Sequence, residues 1–109
     1  MPEWKLKVRA YTLPDGRSPF DQWLDEIDES VAGRIMAHVK RMKEGNFGIS
    51  RQVGGGVMEL KVNFGPGYRV YYLRHESTVV ILLCAGDKRS QDNDIQRARR
   101  FAADYKGRA

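Results

Sequence analysis

The chain has 109 residues, of which 41% are hydrophobic and 30% charged, and its formal net charge is +5. This length accommodates one modest core, so we predict a single domain over residues 1–109 and exclude an intrinsically disordered chain. The longest apolar run, Val79 to Ala85, is far too short to span a bilayer, and the lone Cys84 can form no internal disulfide. We therefore expect a cytoplasmic protein that has no membrane partner.

The first half of the chain is predicted to form one strand and two helices. Residues 4–10 alternate between apolar side chains, beginning with Trp4, and basic ones, which predicts a half-buried strand. Ser18 is placed to cap a first helix, and Ser30 is expected to cap a second one that ends at residues 45–46. Because the join between them is short, the two helices should form an antiparallel hairpin.

The second half is predicted to form three strands and a final helix. Residues 46–56 are rich in glycine and are interpreted as a flexible connector. Strands over residues 57–63, 68–74 and 78–84 should follow as an antiparallel meander, and a last helix is expected over residues 91–105. The predicted order is β-α-α-β-β-β-α. This order indicates an α+β fold, in which one twisted, mainly antiparallel sheet has the helices, including the helical hairpin, packed on one face.

Alternation along the predicted strands separates a core face from an outer face. Leu60 should face the helices, so Glu59 and Lys61 point away from them, and the same rule places Arg69 and Tyr71 on the outer face of the next strand. Adjacent strands lie about 5 Å apart, so these four side chains are expected to form one cluster. The segment after the last strand adds Lys88, Arg89 and Gln91.

The charge pattern is consistent with a nucleic-acid partner for this cluster. Residues 1–33 carry a net charge of −3, whereas the remainder of the chain is basic. A concave sheet face lined with cations and a tyrosine suits a phosphodiester backbone. The alternative is that the outer face is charged only to stay hydrated, with Glu59 and Lys61 in a surface ion pair with Arg69 that contributes little stability.

Other motifs for catalysis or cofactor binding do not occur in the sequence. The run of three glycines at residues 54–56 is followed by neither Lys-Ser/Thr nor a helix start, so it is not a phosphate-binding loop. His38 and His75 are far apart, and with a single cysteine no zinc spacing exists. We therefore predict neither a metal nor a cofactor.

Four segments of the sequence resemble one known family in the same order along the chain. They are Arg17-Ser18-Pro19-Phe20-x-x-Trp23-Leu24, Gly45-Asn46-Phe47-Gly48, Glu59-Leu60-Lys61 followed by Gly65-Pro66-Gly67-Tyr68-Arg69-Val70-Tyr71-Tyr72, and Gly86-Asp87-Lys88-x-x-Gln91-x-x-Asp94-Ile95. On these segments the chain resembles the phage-derived, HigB-like "addiction module killer protein" group of the RelE/ParE toxin superfamily. The resemblance implies a RelE/ParE-like fold for the single domain.

The resemblance also implies the toxin component of a type II toxin–antitoxin system. Similar RelE-like and HigB-like toxins are mRNA interferases, endoribonucleases that cut codons in the ribosomal A site without a metal and so inhibit translation. In such chemistry the ribose 2′-OH attacks the adjacent phosphate and a 5′-OH leaves, which requires a proton acceptor, a proton donor and cations. The implied partners are mRNA on the ribosome and a cognate helix-turn-helix antitoxin that would form a hetero-oligomer with the toxin.

The resemblance assigns roles to individual residues of this chain. Arg69 matches the arginine of the superfamily's Gly-Tyr-Arg strand motif, and its planar fork would bind a phosphate at two points. Glu59 is the candidate proton acceptor, and Tyr71 is a candidate for base stacking or proton transfer. The candidate catalytic residues are Glu59, Lys61, Arg69, Tyr71 and Lys88, and the candidate RNA-binding residues are Arg51, Arg89 and Gln91.

One departure from the family pattern keeps a second function open. Several RelE-like enzymes carry a Tyr or His in the C-terminal segment as acid or base, but residues 91–95 here read Gln-Asp-Asn-Asp-Ile. Either Glu59 and Lys61 take over the proton transfers, or cleavage is weak, or the target differs. A ParE-like inhibitor of DNA gyrase, which cuts no RNA, is therefore the alternative, and an inert binding module of prophage origin is a third reading.

Overall fold

A computed structural model describes residues 5–108 of the chain. Within them the elements are β1 (Lys7–Ala10), α1 (Pro19–Glu26), α2 (Glu29–Lys43), β2 (Ile49–Gln52), β3 (Val57–Val62), β4 (Tyr68–His75), β5 (Val79–Asp87) and α3 (Gln91–Arg108), with a short 3₁₀ turn at Lys88–Ser90. The fold is α+β, as predicted. The first strand begins at Lys7, and Trp4, which was predicted to belong to it, lies outside the described residues.

The five strands form one mixed sheet in the order β1-β5-β4-β3-β2. β1 runs parallel to β5, and the other three neighbouring pairs are antiparallel. The pair of helices α1 and α2 carries the chain from β1 at one edge of the sheet to β2 at the other. The prediction of a mainly antiparallel sheet is thus confirmed, with one parallel pair at an edge.

Side-chain caps set where the helices begin. Ser18 caps α1 as predicted, since its Oγ accepts a hydrogen bond from the backbone N–H of Asp21 at 3.2 Å. The prediction that Ser30 caps α2 is wrong: Asp28 is the cap, and its Oδ1 accepts from both the N–H (2.9 Å) and the hydroxyl (2.6 Å) of Ser30. α2 ends at Lys43, and Gly45, just after the C-cap residue Glu44, has φ of 84°, a left-handed conformation that favours glycine.

The glycine-rich connector predicted for residues 46–56 contains a strand that the sequence did not reveal. β2 pairs antiparallel with β3 and places Arg51 directly opposite Glu59. Its sequence, Ile-Ser-Arg-Gln, holds a single apolar residue, and three of its four side chains are exposed. One apolar residue among four gives no hydrophobic period, so the formation of this edge strand depends on backbone pairing with β3.

The sheet separates two apolar cores. On one face α1 and α2 contribute Phe20, Ile35 and Met42, which pack against Leu60 and other side chains of the central strands. On the opposite face α3 covers a second core. The predicted layout, with all helices against one face, is therefore wrong, although the hairpin does pack on one face as expected. β5 is apolar on both sides, so both faces of the sheet must be covered.

The junction between β5 and α3 is closely packed. Asp94 in the first turn of α3 is buried, and its carboxylate accepts hydrogen bonds from Ser90 Oγ at 2.5 Å and from Arg97 Nη1 at 3.2 Å. Gly86 faces this carboxylate so closely that a Cβ at that position would overlap Asp94 Oδ2. The absence of a side chain at residue 86 therefore permits the close approach of the first turn of α3 to β5. No helix within residues 5–108 is long and apolar enough to cross a membrane.

Candidate functional site

A cleft of about 330 Å³ opens near the edge of the sheet, beside the start of α3. It is lined by Ile49, Ser50, Arg51, Glu59, Lys61, Arg69 and Gln91. Strand register brings these residues together, because Glu59 lies opposite Arg51 on one side and Tyr71 on the other, and Lys61 lies opposite Arg69. Three cationic side chains face one carboxylate, so the lining carries a net positive charge that favours an anionic ligand.

Glu59 is the hydrogen-bonding centre of the cleft. It is only 4% exposed. Its Oε1 accepts from Arg51 Nε at 2.8 Å, and its Oε2 accepts from the Tyr71 hydroxyl at 3.0 Å and from Gln91 Nε2 at 2.9 Å. Burial by itself would raise the pKa of Glu59, but the three hydrogen bonds and the positive charge of Arg51 outweigh it, so the pKa is lowered.

This arrangement bears on the role predicted for Glu59 as a proton acceptor, which stays a prediction. A carboxylate with a lowered pKa and three donors on its oxygens is a weak base. Of the three donors, Arg51 is the easiest to displace, because its side chain is 62% exposed whereas Tyr71 is buried and Gln91 is half-buried. Moving the Arg51 guanidinium onto a bound phosphate would free Oε1 to take up a proton.

Tyr71 lies beneath α3, and its side chain is fully buried. The stacking role predicted for it is wrong, because the ring offers no exposed face to a base. Burial, and then the adjacent negative charge of Glu59, raises the pKa of Tyr71 far above its ordinary value, so the phenol stays neutral and donates to Glu59. Tyr71 holds the carboxylate in place from below.

Arg69 has an unsatisfied hydrogen-bonding group inside the cleft wall. The residue is 6% exposed, and its Nη1 donates to the carbonyl of Gly67 at 2.6 Å. Its Nε is buried and has no hydrogen-bond partner among the described residues. Leaving a buried donor unpaired costs about 1–3 kcal/mol, and more for a charged group, so a small shift of Arg69 that exposed Nε to an anionic oxygen in the cleft would remove that penalty.

Besides the buried Tyr71, two predicted members of the cluster do not line the cleft. Lys88 and Arg89 belong to the 3₁₀ turn before α3, and neither lines the cavity. Arg89 is 88% exposed on its side chain and forms an ion pair with Asp87 at 3.2 Å. The alternative of a surface ion pair among Glu59, Lys61 and Arg69 is not what forms, since Glu59 is buried and pairs with Arg51.

Sequence reasoning missed several lining residues. Ser50 lies on the unrecognised strand β2, accepts from the Tyr72 hydroxyl at 2.8 Å and lines the cleft. Arg34 and Arg41 on α2 line a second cavity next to it. Their spacing of seven residues places both on one helix face, a signal that the sequence did contain.

Among residues 5–108, no three side chains of His, Cys, Asp or Glu converge to hold a metal ion.

Replacing Glu59 with glutamine is expected to lower the free energy of unfolding at neutral pH by about 1–3 kcal/mol, because one amide oxygen cannot serve all three donors. The lowered pKa of Glu59 sets the pH dependence. The contribution of Glu59 to stability is fully present above its pKa in the unfolded chain, which is about 4.3. It is lost as the pH falls through the lower pKa that Glu59 has in the folded protein.

Urea unfolding of both proteins at neutral and acidic pH measures this effect. The difference in unfolding free energy should narrow as the pH falls from about 5 to about 3. Glu26→Gln on the exposed side of α1 is the control and should stay within about 0.5 kcal/mol of wild type. If the difference in unfolding free energy between Glu59→Gln and wild type did not change with pH, the lowered pKa of Glu59 would be contradicted.

Fold and site together define an α+β protein whose mixed sheet carries a cationic cleft suited to an anionic ligand. Residues 22–103 match the family described as Phage derived protein Gp49-like (DUF891). An uncharacterized protein of Haemophilus influenzae (strain ATCC 51907 / DSM 11121 / KW20 / Rd) is 44% identical over 84 residues, which cover 76% of this chain and 85% of the relative. The chain belongs to the phage-derived Gp49-like family, and the matched segment contains every residue that lines the cleft.

Proposed function

We propose that this protein is the toxin of a type II toxin–antitoxin system, with a RelE/ParE-like fold, and that it cleaves mRNA on the ribosome without a metal. The observation that carries the proposal is Arg69: a buried guanidinium with an unpartnered Nε in the wall of a cationic cleft. A phosphodiester is the anion that this fork fits at two points. Membership of a phage-derived family supports the same class of protein.

The reaction would be an in-line transesterification. The ribose 2′-oxygen forms a bond to phosphorus, the bond from phosphorus to the 5′-oxygen breaks, and a cyclic phosphate and a free 5′-OH result. Arg69 and Lys61 stabilise the added negative charge of the transition state. Glu59 accepts the 2′-OH proton once Arg51 has moved onto the phosphate, and Lys61 supplies the proton to the 5′-oxygen.

The test is to map mRNA 5′ ends on translating ribosomes after the protein is induced in cells. Cuts within codons positioned in the A site are expected at the onset of growth arrest. Growth arrest with intact mRNA would contradict the proposal.

A gyrase inhibitor of the ParE kind is the second candidate. It is favoured by the start of α3, where RelE-like enzymes carry a Tyr or His but Gln91 donates to Glu59 and Asp94 is buried in a structural contact. That function requires no proton transfer. It predicts stabilised complexes of gyrase with cleaved DNA and an SOS response, with mRNA unchanged.

The antitoxin is expected to cover the basic cleft rather than the acidic helix face. Reversing the charges of Lys61 and Arg69 should weaken the toxin–antitoxin complex by at least about tenfold, because complementary charges fix such interfaces. Reversal of Asp25 and Glu26, both exposed on α1, should leave the affinity within about twofold. Titration calorimetry with the neighbouring gene product measures both, and the opposite pattern would contradict this orientation.

A further inference from the structure

A second cavity, of about 410 Å³, lies on the other side of the sheet edge, between α2 and the strands β2 and β3. We call it the α2 groove. Its cations are Arg34 and Arg41 from one face of α2 and Lys61 from β3. None of the described residues that line it carries a carboxylate. The groove is therefore more uniformly cationic than the cleft, in which Glu59 offsets part of the charge.

The α2 groove adjoins the cleft at the sheet edge. Ile49 and Lys61 line both cavities, and they lie directly opposite each other in the β2–β3 pair. Ile49 is 63% exposed, so an apolar side chain lies uncovered between two cationic cavities. A ligand that occupies the cleft and is long enough to pass around the edge strand would enter the groove.

The groove also contains an aromatic ring suited to a nucleobase. The guanidinium of Arg34 lies 4.7 Å from the ring centroid of Phe64, and Phe64 is half-buried against the hairpin core. An arginine on an aromatic ring gives a flat, cationic surface on which bases stack regardless of sequence. Sites that bind single-stranded nucleic acid typically combine cationic side chains, which bind the phosphate backbone, with a flat surface on which the bases stack.

We propose that the α2 groove binds single-stranded RNA next to the linkage held in the cleft, through Arg34 and Arg41 to phosphates and through the Arg34–Phe64 pair to a base. This inference rests on the proposed function, because the cleft is what brings RNA to the sheet edge. The RNA-binding surface would then continue from the cleft around the edge strand β2 to the face of the sheet that the helical hairpin covers.

The test measures affinity for a fluorescent 2′-O-methyl RNA of about 12 nucleotides, a length within the range that single-strand sites cover. This RNA has no free 2′-OH and cannot be cleaved by the proposed reaction, so binding is measured apart from activity. The variant Arg34→Glu/Arg41→Glu should bind at least about tenfold more weakly near 100 mM salt, with a smaller dependence of affinity on salt.

The matched control is Lys40→Glu/Lys43→Glu, which makes the same charge change on the same helix. Lys40 and Lys43 lie on another side of α2 and do not line the groove. The control should bind within about twofold of wild type, since long-range charge effects are screened beyond about 10 Å. Circular dichroism confirms that both variants are folded.

Equal losses in the two variants, or no measurable binding by the wild-type chain, would overturn the inference. So would a groove variant that keeps its RNA affinity but loses the antitoxin, because the groove would then be a protein interface. Failure of the proposed cleavage gives a different result: mRNA stays intact on ribosomes while the groove variant still binds RNA more weakly than its control.

Discussion

Replacing Arg69 with alanine is expected to lower the rate of the proposed mRNA cleavage by at least about 100-fold, the usual effect of removing one preorganised charge donor from a transition state. The free energy of unfolding should change by less than about 1.5 kcal/mol. The substitution removes one hydrogen bond to Gly67, but it also removes a buried Nε that has no partner.

Cleavage of a reporter mRNA on purified ribosomes, with urea unfolding alongside, separates the two effects. Arg69→Lys keeps the charge but loses the two-point fork, so it should recover only part of the activity. Arg100→Ala, exposed on α3, is the matched control and should cleave as wild type does. An Arg69→Ala protein that is folded and still cuts mRNA would remove the central observation behind the proposed function.

Replacing Gly86 with alanine is expected to lower the free energy of unfolding by about 3–4 kcal/mol. Overpacking by one methyl group typically costs about 1–3 kcal/mol, and the displaced carboxylate of Asp94 would also lose hydrogen bonds. The new Cβ would overlap Asp94 Oδ2 and lie 2.6 Å from Ser90 Oγ, so α3 would have to shift.

Thermal unfolding tests this prediction against a matched glycine. Gly33 lies within α2, and a Cβ at that position would meet nothing within 4 Å, so Gly33→Ala should stabilise the protein by about 0.5–1 kcal/mol. In an Asp94→Ala background the effect of Gly86→Ala should shrink, because the overlapping carboxylate is gone. A loss of the same size in both backgrounds would show that the contact with Asp94 is not the cause.

The elements with strong local signals were predictable from the sequence. Apolar alternation located β3 and β4, and the Ser18 cap and Gly45 set the bounds of the hairpin. β2 was missed because it has no apolar period and exists through pairing with a strand that follows it. The placement of α3 was wrong, although the unbroken apolar run of β5 is typical of a strand covered on both faces.

The candidate site was predictable as a set of neighbours but not as a network. The two-residue period placed Glu59, Tyr71 and Arg69 on one sheet face, and they do lie there. Their burial was not predicted, because it depends on α3 crossing that face. The bond from Gln91 to Glu59 spans 32 residues, and no local pattern encodes a contact of that separation.

The parallel pairing of β1 with β5 has a consequence for synthesis of the chain. Lys7 pairs with Val79, so β1 cannot pair with β5 until most of the protein has been translated. The Glu59 network is complete only when Gln91 arrives with α3, the last element made. A nascent chain therefore carries no finished cleft, and a ligand that needs the complete Glu59 network can bind only after α3 has been made and has packed against the sheet.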